Sequence, residues 1–267
     1  MTKAVQTKAV QTKAVQTKEE QNLAAGSEAD YGEFAGAGFE NVGSDSVAVP
    51  RLVLLQKGSP EADDTQPEYI EGARAGTLLN RVTGATYDAK TGLEVILCYF
   101  ERRYLVWAPR DTGGGLVSVW DETEYLTAKR NGMVDRDGAA EIDMEGNRIS
   151  DTRIHYLIGL PDLEPAVMSL SSTAIKRSRL LIAQAMRPAN SPAFSKVFRL
   201  TAVPEKNDKG TWYAPEFTFV RPVEVGSAEW KSAVETYKMA RAMTTEDRAK
   251  TLAGADEPAE ENDGAAF

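Results

Sequence analysis

Apolar and β-branched residues occur in short runs that predict a chain built mainly from strands. The longest run lies between Leu93 and Arg110, where apolar residues occupy both alternating sets of positions at the start and a polar stretch, 101–103, interrupts the middle. Apolar residues in both sets indicate a strand that is covered on both faces. A strand of this length with a polar middle is expected to be bent or bulged, as closure into a small barrel requires.

Further strands are predicted on both sides of one helix. A serine at 171 or 172 caps a helix that runs to about Met186, because Pro188 prevents its continuation. The predicted buried stripe of this helix contains Ile175, Ile182 and Met186, with Leu181 and Ala185 beside it. The sequence predicts strands at 78–82, 116–120, 153–159 and 166–170 before the helix, and at 196–203 and 212–221 after it.

This order of elements predicts a mainly β protein of the β-rich α+β class. The oligonucleotide/oligosaccharide-binding (OB) fold places a helix between the third and fourth strands of a five-stranded barrel, and the predicted order matches it. We therefore expect an OB-like small barrel with a helix between strands. An antiparallel α+β sheet with the same order is the alternative. The polar interval 121–152 is expected to be a solvated loop or hairpin.

Composition shifts divide the chain into four parts. The pentapeptide Thr-Lys-Ala-Val-Gln occurs three times from residue 2, and its period fits neither a helix nor a strand. We expect a disordered, low-complexity segment at 1–46, an OB-like nucleic-acid-binding domain at 47–225, a C-terminal helical segment at 226–252 and a disordered acidic tail at 253–267.

The net charge of −9 is distributed unevenly. Residues 73–221 carry twenty bases and eighteen acids, whereas residues 255–267 carry five acids and no base. An acidic tail beside a slightly basic body indicates a nucleic-acid site in that body.

The scarcity of cysteine and histidine narrows the chemistry. Cys98 and His155 are the only residues of their types, so an internal disulfide is excluded, and zinc binding and Cys–His or Ser–His catalysis are disfavoured. No phosphate-binding glycine loop is present. We therefore expect a protein that is not an enzyme and that needs no metal or cofactor.

Basic and aromatic residues are interleaved in the predicted body. Single-strand binders need this mixture, because cations contact phosphates while aromatic rings stack on bases. At least half of the aromatic side chains are nevertheless expected to fill the core, and the basic helix cluster has a solvated helix face as its alternative. The predicted nucleic-acid-binding residues are Tyr99, Arg102, Arg103, Tyr104, Trp107, Arg110, Lys176, Arg177, Arg179, Arg199, Trp212 and Tyr213.

Several segments resemble a group of tailed-phage single-stranded DNA-binding proteins. The resemblance covers about 47–220, and it is carried by Val49-Pro50-Arg51-Leu52, Pro67-Glu68-Tyr69-Ile70-Glu71-Gly72-Ala73, Arg102-Arg103-Tyr104, Trp107-Ala108-Pro109-Arg110-Asp111 and the region from Phe198 to Tyr213.

The acidic tail is similar to the tails of bacterial and short-tailed-phage single-strand binders. That likeness implies recruitment of a phage or host polymerase, helicase or primase, and competition with DNA for the protein's own groove. The predicted partner-binding residues are Asp256, Glu257, Glu260, Glu261, Asp263 and Phe267.

These observations together predict a non-enzymatic bacteriophage protein that coats single-stranded DNA in replication or recombination. We expect it in the host bacterial cytoplasm, with no membrane partner, and a homo-oligomer is compatible with this interpretation. The alternatives are a virion or host-takeover protein that binds another protein, and a single-strand annealing factor.

Overall fold

A computed structural model describes residues 50–208 and 210–253. The predicted N-terminal segment 1–46 and the acidic residues from 254 onward lie outside these ranges. The strands are β1 (Leu52–Leu54), β2 (Leu78–Asn80), β3 (Thr86–Tyr87), β4 (Leu93–Trp107), β5 (Leu116–Trp120), β6 (Val134–Asp137), β7 (Ala140–Asp143), β8 (Arg148–Leu160), β9 (Glu164–Ser171), β10 (Lys196–Asn207) and β11 (Gly210–Pro222). The helices are α1 (Glu122–Arg130), α2 (Ile175–Ala185), α3 (Ala228–Ala242) and α4 (Thr245–Leu252).

The large sheet is antiparallel and runs in the order β11-β10-β4-β8-β7-β6, with β5 paired to β4 and β9 paired to β8. A smaller sheet has the order β1-β2-β3. The β-rich α+β class is confirmed, and α2 lies between strands as expected. Within the described ranges, no pairing joins β11 to β6, so the large sheet is an open one, as in the antiparallel alternative. No helix in those ranges is long and apolar enough to span a membrane.

The pairing of β4 with β8 forms the centre of the large sheet. It extends from Glu94 opposite Leu160 to Trp107 opposite Arg148, and its register shifts between Leu97 and Tyr99. The predicted irregularity in the long strand is therefore a β-bulge at Cys98. A bulge bends its strand and changes the direction in which neighbouring side chains point.

Helices cover both faces of this central pair, which is why β4 is apolar at both alternating sets of positions. On one face, here called the α2 face, Leu97 and Leu157 pack with Leu181 of α2. On the opposite face, here called the α3 face, Ile96 packs with Ala233 of α3. The apolar residues of the sheet are thus buried between helical layers.

The polar interval 121–152 contains the β6–β7 hairpin and, unlike the prediction, a helix, α1. Its first turn has a capping box: the Asp121 carboxylate accepts a hydrogen bond from the Glu124 backbone N–H at 2.8 Å, and the Glu124 carboxylate accepts one from the Asp121 N–H at 2.7 Å. Tyr125 stacks on Tyr104 with ring centroids 3.8 Å apart. One aromatic contact thus docks an otherwise polar helix on the α2 face.

The buried stripe of α2 is displaced from the predicted one. Leu181 and Ala185, expected beside the stripe, are its buried residues together with Ser178, whereas Ile182 is half-buried and Met186 is 65% exposed. The helix ends at Ala185, so Met186 lies beyond the last residue that packs on the sheet.

A buried ion pair fastens α4 to the α3 face. Arg248 Nε lies 2.9 Å from Glu101 Oε2, and Tyr156 donates its hydroxyl hydrogen to Glu101 Oε1 at 2.9 Å. Arg248 also donates to the carbonyl oxygens of Ala240 and Met243, near the end of α3. The hydrogen bonds on both charges offset the desolvation cost of burying them.

Replacing Arg248 by Ala is therefore expected to lower the free energy of unfolding by about 3–5 kcal/mol, because it leaves the Glu101 carboxylate buried without its main partner. Denaturant titration measures this change. The matched control is Lys250→Ala in the same helix, whose partner Glu246 is 78% exposed, and which should change stability by less than about 1 kcal/mol. Equal effects of the two substitutions would contradict the structural role of the buried pair.

Candidate nucleic-acid interface

The predicted aromatic residues of β4 lie mostly in the core. Tyr104 is 3% exposed and Trp107 is 2% exposed, so neither ring offers a surface on which a base could stack. Tyr99 is half-buried, and its ring centroid lies 5.8 Å from that of Tyr156 and 6.1 Å from that of Tyr237. The physical reason is that β4 is sandwiched between helices, so its aromatic residues supply core volume on both faces.

Most of the predicted cations form ion pairs within the protein. Arg103 pairs with Glu101, Arg199 with Glu94, and both Lys176 and Arg177 with Glu205. Glu101 lies on the same strand as Arg103, Glu94 lies opposite Arg199 in the β4–β10 ladder, and Glu205 of β10 faces the two cations of α2. Arg110 lies exposed in the 3-10 turn Arg110–Thr112 that follows β4. The paired cations are less available to phosphates than their exposure alone suggests.

Trp212 and Tyr213 occupy different environments on β11. Tyr213 packs against Gly76, where an added Cβ would lie 2.7 Å from its ring atom Cε1. Trp212 is half-buried and lines a surface cleft with Lys176 and Lys206. Tyr213 is therefore a packing residue, while Trp212 lies beside cations as a single-strand site would require.

Two guanidinium groups meet at Asp151 on the α2 face, and the charge of a third arginine acts on one of them. Arg102 donates two hydrogen bonds to this carboxylate, from Nε at 3.0 Å and from Nη2 at 2.7 Å. Arg153, directly opposite Arg102 in the β4–β8 ladder, donates to the same carboxylate at 3.2 Å. Burial lowers the pKa of Arg153, and the charges of Arg102 and of Arg179 on α2 lower it further. We call Arg102, Arg153 and Arg179 the arginine cluster.

The carboxylates near the arginine cluster do not balance its charge. Asp151 is shared by two arginines, and Glu122 of α1, which is 59% exposed, adds a second carboxylate at 2.8 Å from Arg102. Arg153 has a side chain only 11% exposed, and its buried Nε has no hydrogen-bond partner. Three positive charges against two negative ones, with one guanidinium largely desolvated, favour the binding of an anion.

Phe100 lies next to the arginine cluster on the α2 face. It is half-buried, and its ring centroid is 5.3 Å from that of His155, the residue opposite it in β8. His155 is fully buried, and its Nε2 lies 3.1 Å from the Ser178 hydroxyl oxygen on α2. This packing sets the distance between α2 and the sheet beside the arginine cluster.

Arg153 is a candidate that the sequence alone does not indicate. It becomes one only because it lies opposite Arg102, and like charges directly opposite each other on a sheet are otherwise unfavourable. This relationship depends on the pairing of β4 with β8, so no local pattern encodes it. Phe100 is not among the predicted site residues, but strand alternation, which places it on the same face as Arg102, is a local signal that could have found it.

The fold and this surface define a β-rich α+β protein with a cluster of arginines on one face of its large sheet. The chain belongs to the family described as Pam3 phage gp34-like protein, whose model matches residues 18–252. It is therefore a phage protein, as the sequence resemblance implied. A search of curated proteins and a search of solved structures gave no match.

Burial lowers the pKa of His155 from 6.5 to about 4. Because the folded state holds the imidazole neutral while the unfolded state accepts a proton, this residue's contribution to stability is complete above pH 6.5 and is lost as the pH falls toward 4. Between pH 7 and pH 4.5 we expect the protein to lose roughly 2 kcal/mol more unfolding free energy than its His155→Gln variant. Denaturant titrations at the two pH values measure this, and parallel losses in both proteins would reject the assignment.

Proposed function

We propose that this phage protein binds single-stranded DNA without catalysing a reaction, and that it acts in replication or recombination in the host bacterial cytoplasm. The observation that carries the proposal is the arginine cluster. Arg102 and Arg153 share Asp151, Glu122 adds one carboxylate on Arg102, and the charge of Arg179 acts on Arg153, beside the half-buried ring of Phe100. Arginine recognises phosphate through paired N–H donors, and aromatic rings stack on unpaired bases.

Glu122 is the group that a phosphate would displace. Its carboxylate lies at the start of α1, is mostly exposed and bonds Arg102 at 2.8 Å. Exchanging a solvated carboxylate for a phosphate on Arg102 costs little, because an exposed ion pair contributes only about 0–1 kcal/mol. Asp151, in contrast, is held by Arg102 and Arg153 together and remains as the group that positions them.

The acidic segment after residue 255 is the proposed partner-binding part of the chain. Its five acids carry no compensating base, so they would compete with DNA for the arginine cluster and contact a polymerase, helicase or primase. These residues lie outside the described ranges, and the proposal rests on their charge and on the resemblance to other single-strand binders.

A second candidate function is binding to another protein, and the exposed edge of the large sheet favours it. Within the described ranges β11 pairs only with β10, and on this edge Phe219 is 48% exposed and Val220 is 39% exposed. Edge strands of this kind can add a strand from a partner. This function predicts no affinity for oligonucleotides at low salt.

Titration of fluorescent single-stranded and double-stranded oligonucleotides at two salt concentrations tests the first function. We expect tighter binding of the single strand and a steep loss of affinity with salt. Arg179→Ala should weaken binding and reduce the slope of log affinity against log salt by about 0.7 for one lost phosphate contact.

The matched control is Lys231→Ala, which removes one exposed charge from α3 on the other face of the sheet. It should leave affinity nearly unchanged. Equal losses in the two variants would mean that binding depends on overall charge and not on the arginine cluster.

Neutralising the acidic segment should tighten binding of single-stranded DNA, because it removes the competing charges. The variant is Asp256→Asn, Glu257→Gln, Glu260→Gln, Glu261→Gln and Asp263→Asn. The control removes five acids from the other end of the sequence, by Glu28→Gln, Asp30→Asn, Glu33→Gln, Glu40→Gln and Asp45→Asn. Identical affinities of the two variants would show that position in the chain does not matter and would reject competition by this segment.

A further inference from the structure

A groove with a volume of ≈ 420 Å³ opens beside the β4 bulge, between α2 and α3. Its walls include four aromatic rings and two apolar side chains of α2 and its C-terminal end: Tyr99, Phe100, Phe194, Tyr237, Ile182 and Met186. The ring centroids of Phe194 and Tyr237 are 5.7 Å apart, and those of Tyr99 and Tyr237 are 6.1 Å apart. We call this feature the aromatic groove.

The aromatic groove lies along an edge of β4. On the side away from β8, β10 pairs with residues 93–96 of β4 and β5 with residues 104–107, and in the described residues no strand pairs with the stretch between them. Tyr99 lies opposite Tyr156 and Phe100 opposite His155 in the β4–β8 ladder, so these two rings point to opposite faces. Both line the groove because it lies beside this edge.

The aromatic groove leads into the arginine cluster along two elements. On β4, Arg102 follows Phe100 by two residues on the same face, a step of about 7 Å. On α2, Arg179 precedes Ile182 by three residues, a step of about 5 Å along the helix axis. Since the groove and the cluster adjoin each other on both elements, an extended chain could contact the two in succession.

We propose that the aromatic groove holds one unpaired base of the nucleic acid whose phosphate lies on the arginine cluster. The inference rests on the proposed function and deepens it, because it names the part of the protein that distinguishes single strands from duplexes. A base in a duplex would have to leave its stack and its pair before it could enter the groove. An unpaired base enters at much lower cost.

The chemistry of the walls fits a base better than it fits an aliphatic ligand. Ring faces and edges attract a flat π-system by stacking, which contributes about 1–3 kcal/mol per base and depends little on base identity. Positive charge at one end of the groove matches the phosphate that every nucleotide carries. A purely aliphatic ligand would leave the arginine cluster without an anion.

Two oligomers of equal length, an oligothymidylate and an abasic oligomer, distinguish binding of the base from binding of the phosphate. We expect the unmodified protein to bind the oligothymidylate about tenfold more tightly. Phe100→Leu should remove most of this preference while leaving affinity for the abasic oligomer unchanged, since leucine retains the apolar contact without the ring. Arg179→Ala should weaken binding of both oligomers by the same factor.

The matched control is Phe219→Leu, the same substitution at an exposed ring on the β11 edge, which should change neither affinity. A second measurement needs no variant: an oligonucleotide containing 2-aminopurine should lose fluorescence on binding, as that base does when it stacks. This measurement keeps the test decisive if Phe100→Leu fails to fold.

Equal affinity of the unmodified protein for the two oligomers, or an equal loss of both affinities in Phe100→Leu, would overturn the base site while leaving single-strand binding intact. Binding of thymidine monophosphate as tight as that of the oligothymidylate would also overturn it, in favour of a free-nucleotide site. Absence of binding to either oligomer at low salt would reject the proposed function itself, and the base site with it.

Discussion

The pairing of β4 with β8 is the constraint on which the rest of the structure depends. These two long strands lie at the centre of the large sheet. Strands β10 and β5 pair with β4, and strands β7 and β9 pair with β8. Helix α2 packs on one face of the pair and α3 on the other. Since successive residues of a strand point to opposite faces, a shift of one residue in this register would exchange the core and the surface. The bulge at Cys98 is a local shift of that kind, tolerated because helices cover both faces.

The same register creates repulsion between like charges at the candidate site. It sets Arg102 opposite Arg153, an arrangement that is unfavourable unless a carboxylate lies between them. Asp151 supplies that carboxylate and bonds both guanidinium groups, but it cannot also neutralise Arg179. A fold optimised only for stability would replace one of these arginines. The proposed anion site would explain their presence, because a phosphate bound there would complete the charge balance.

The predictable parts of the fold are those with a local pattern. The apolar run of β4, the serines and prolines around α2, and the helical spacing after Ser227 are visible in the sequence and correspond to elements of the structure. The helix α1 also has a local signal, the Asp121–Glu124 capping box, but its polar composition hides the single buried ring, Tyr125, that docks it. The candidate site was less predictable. The sequence predicts the arginines and aromatic residues of β4 as a mixed binding surface, yet Tyr104 and Trp107 lie in the core and Arg103 pairs with Glu101.

The sequence by itself determined the β-rich α+β class, the long central strand and its irregularity, and the separation of an acidic segment from a slightly basic body. These properties follow from the order of residues along the chain, because strand periodicity, helix capping and charge blocks act over a few neighbouring positions. The tertiary structure alone decided which arginines pair with carboxylates and that Arg153 joins Arg102 in one cluster. Those outcomes depend on residues about fifty positions apart, such as Arg102 and Asp151, which only the register of two paired strands brings together.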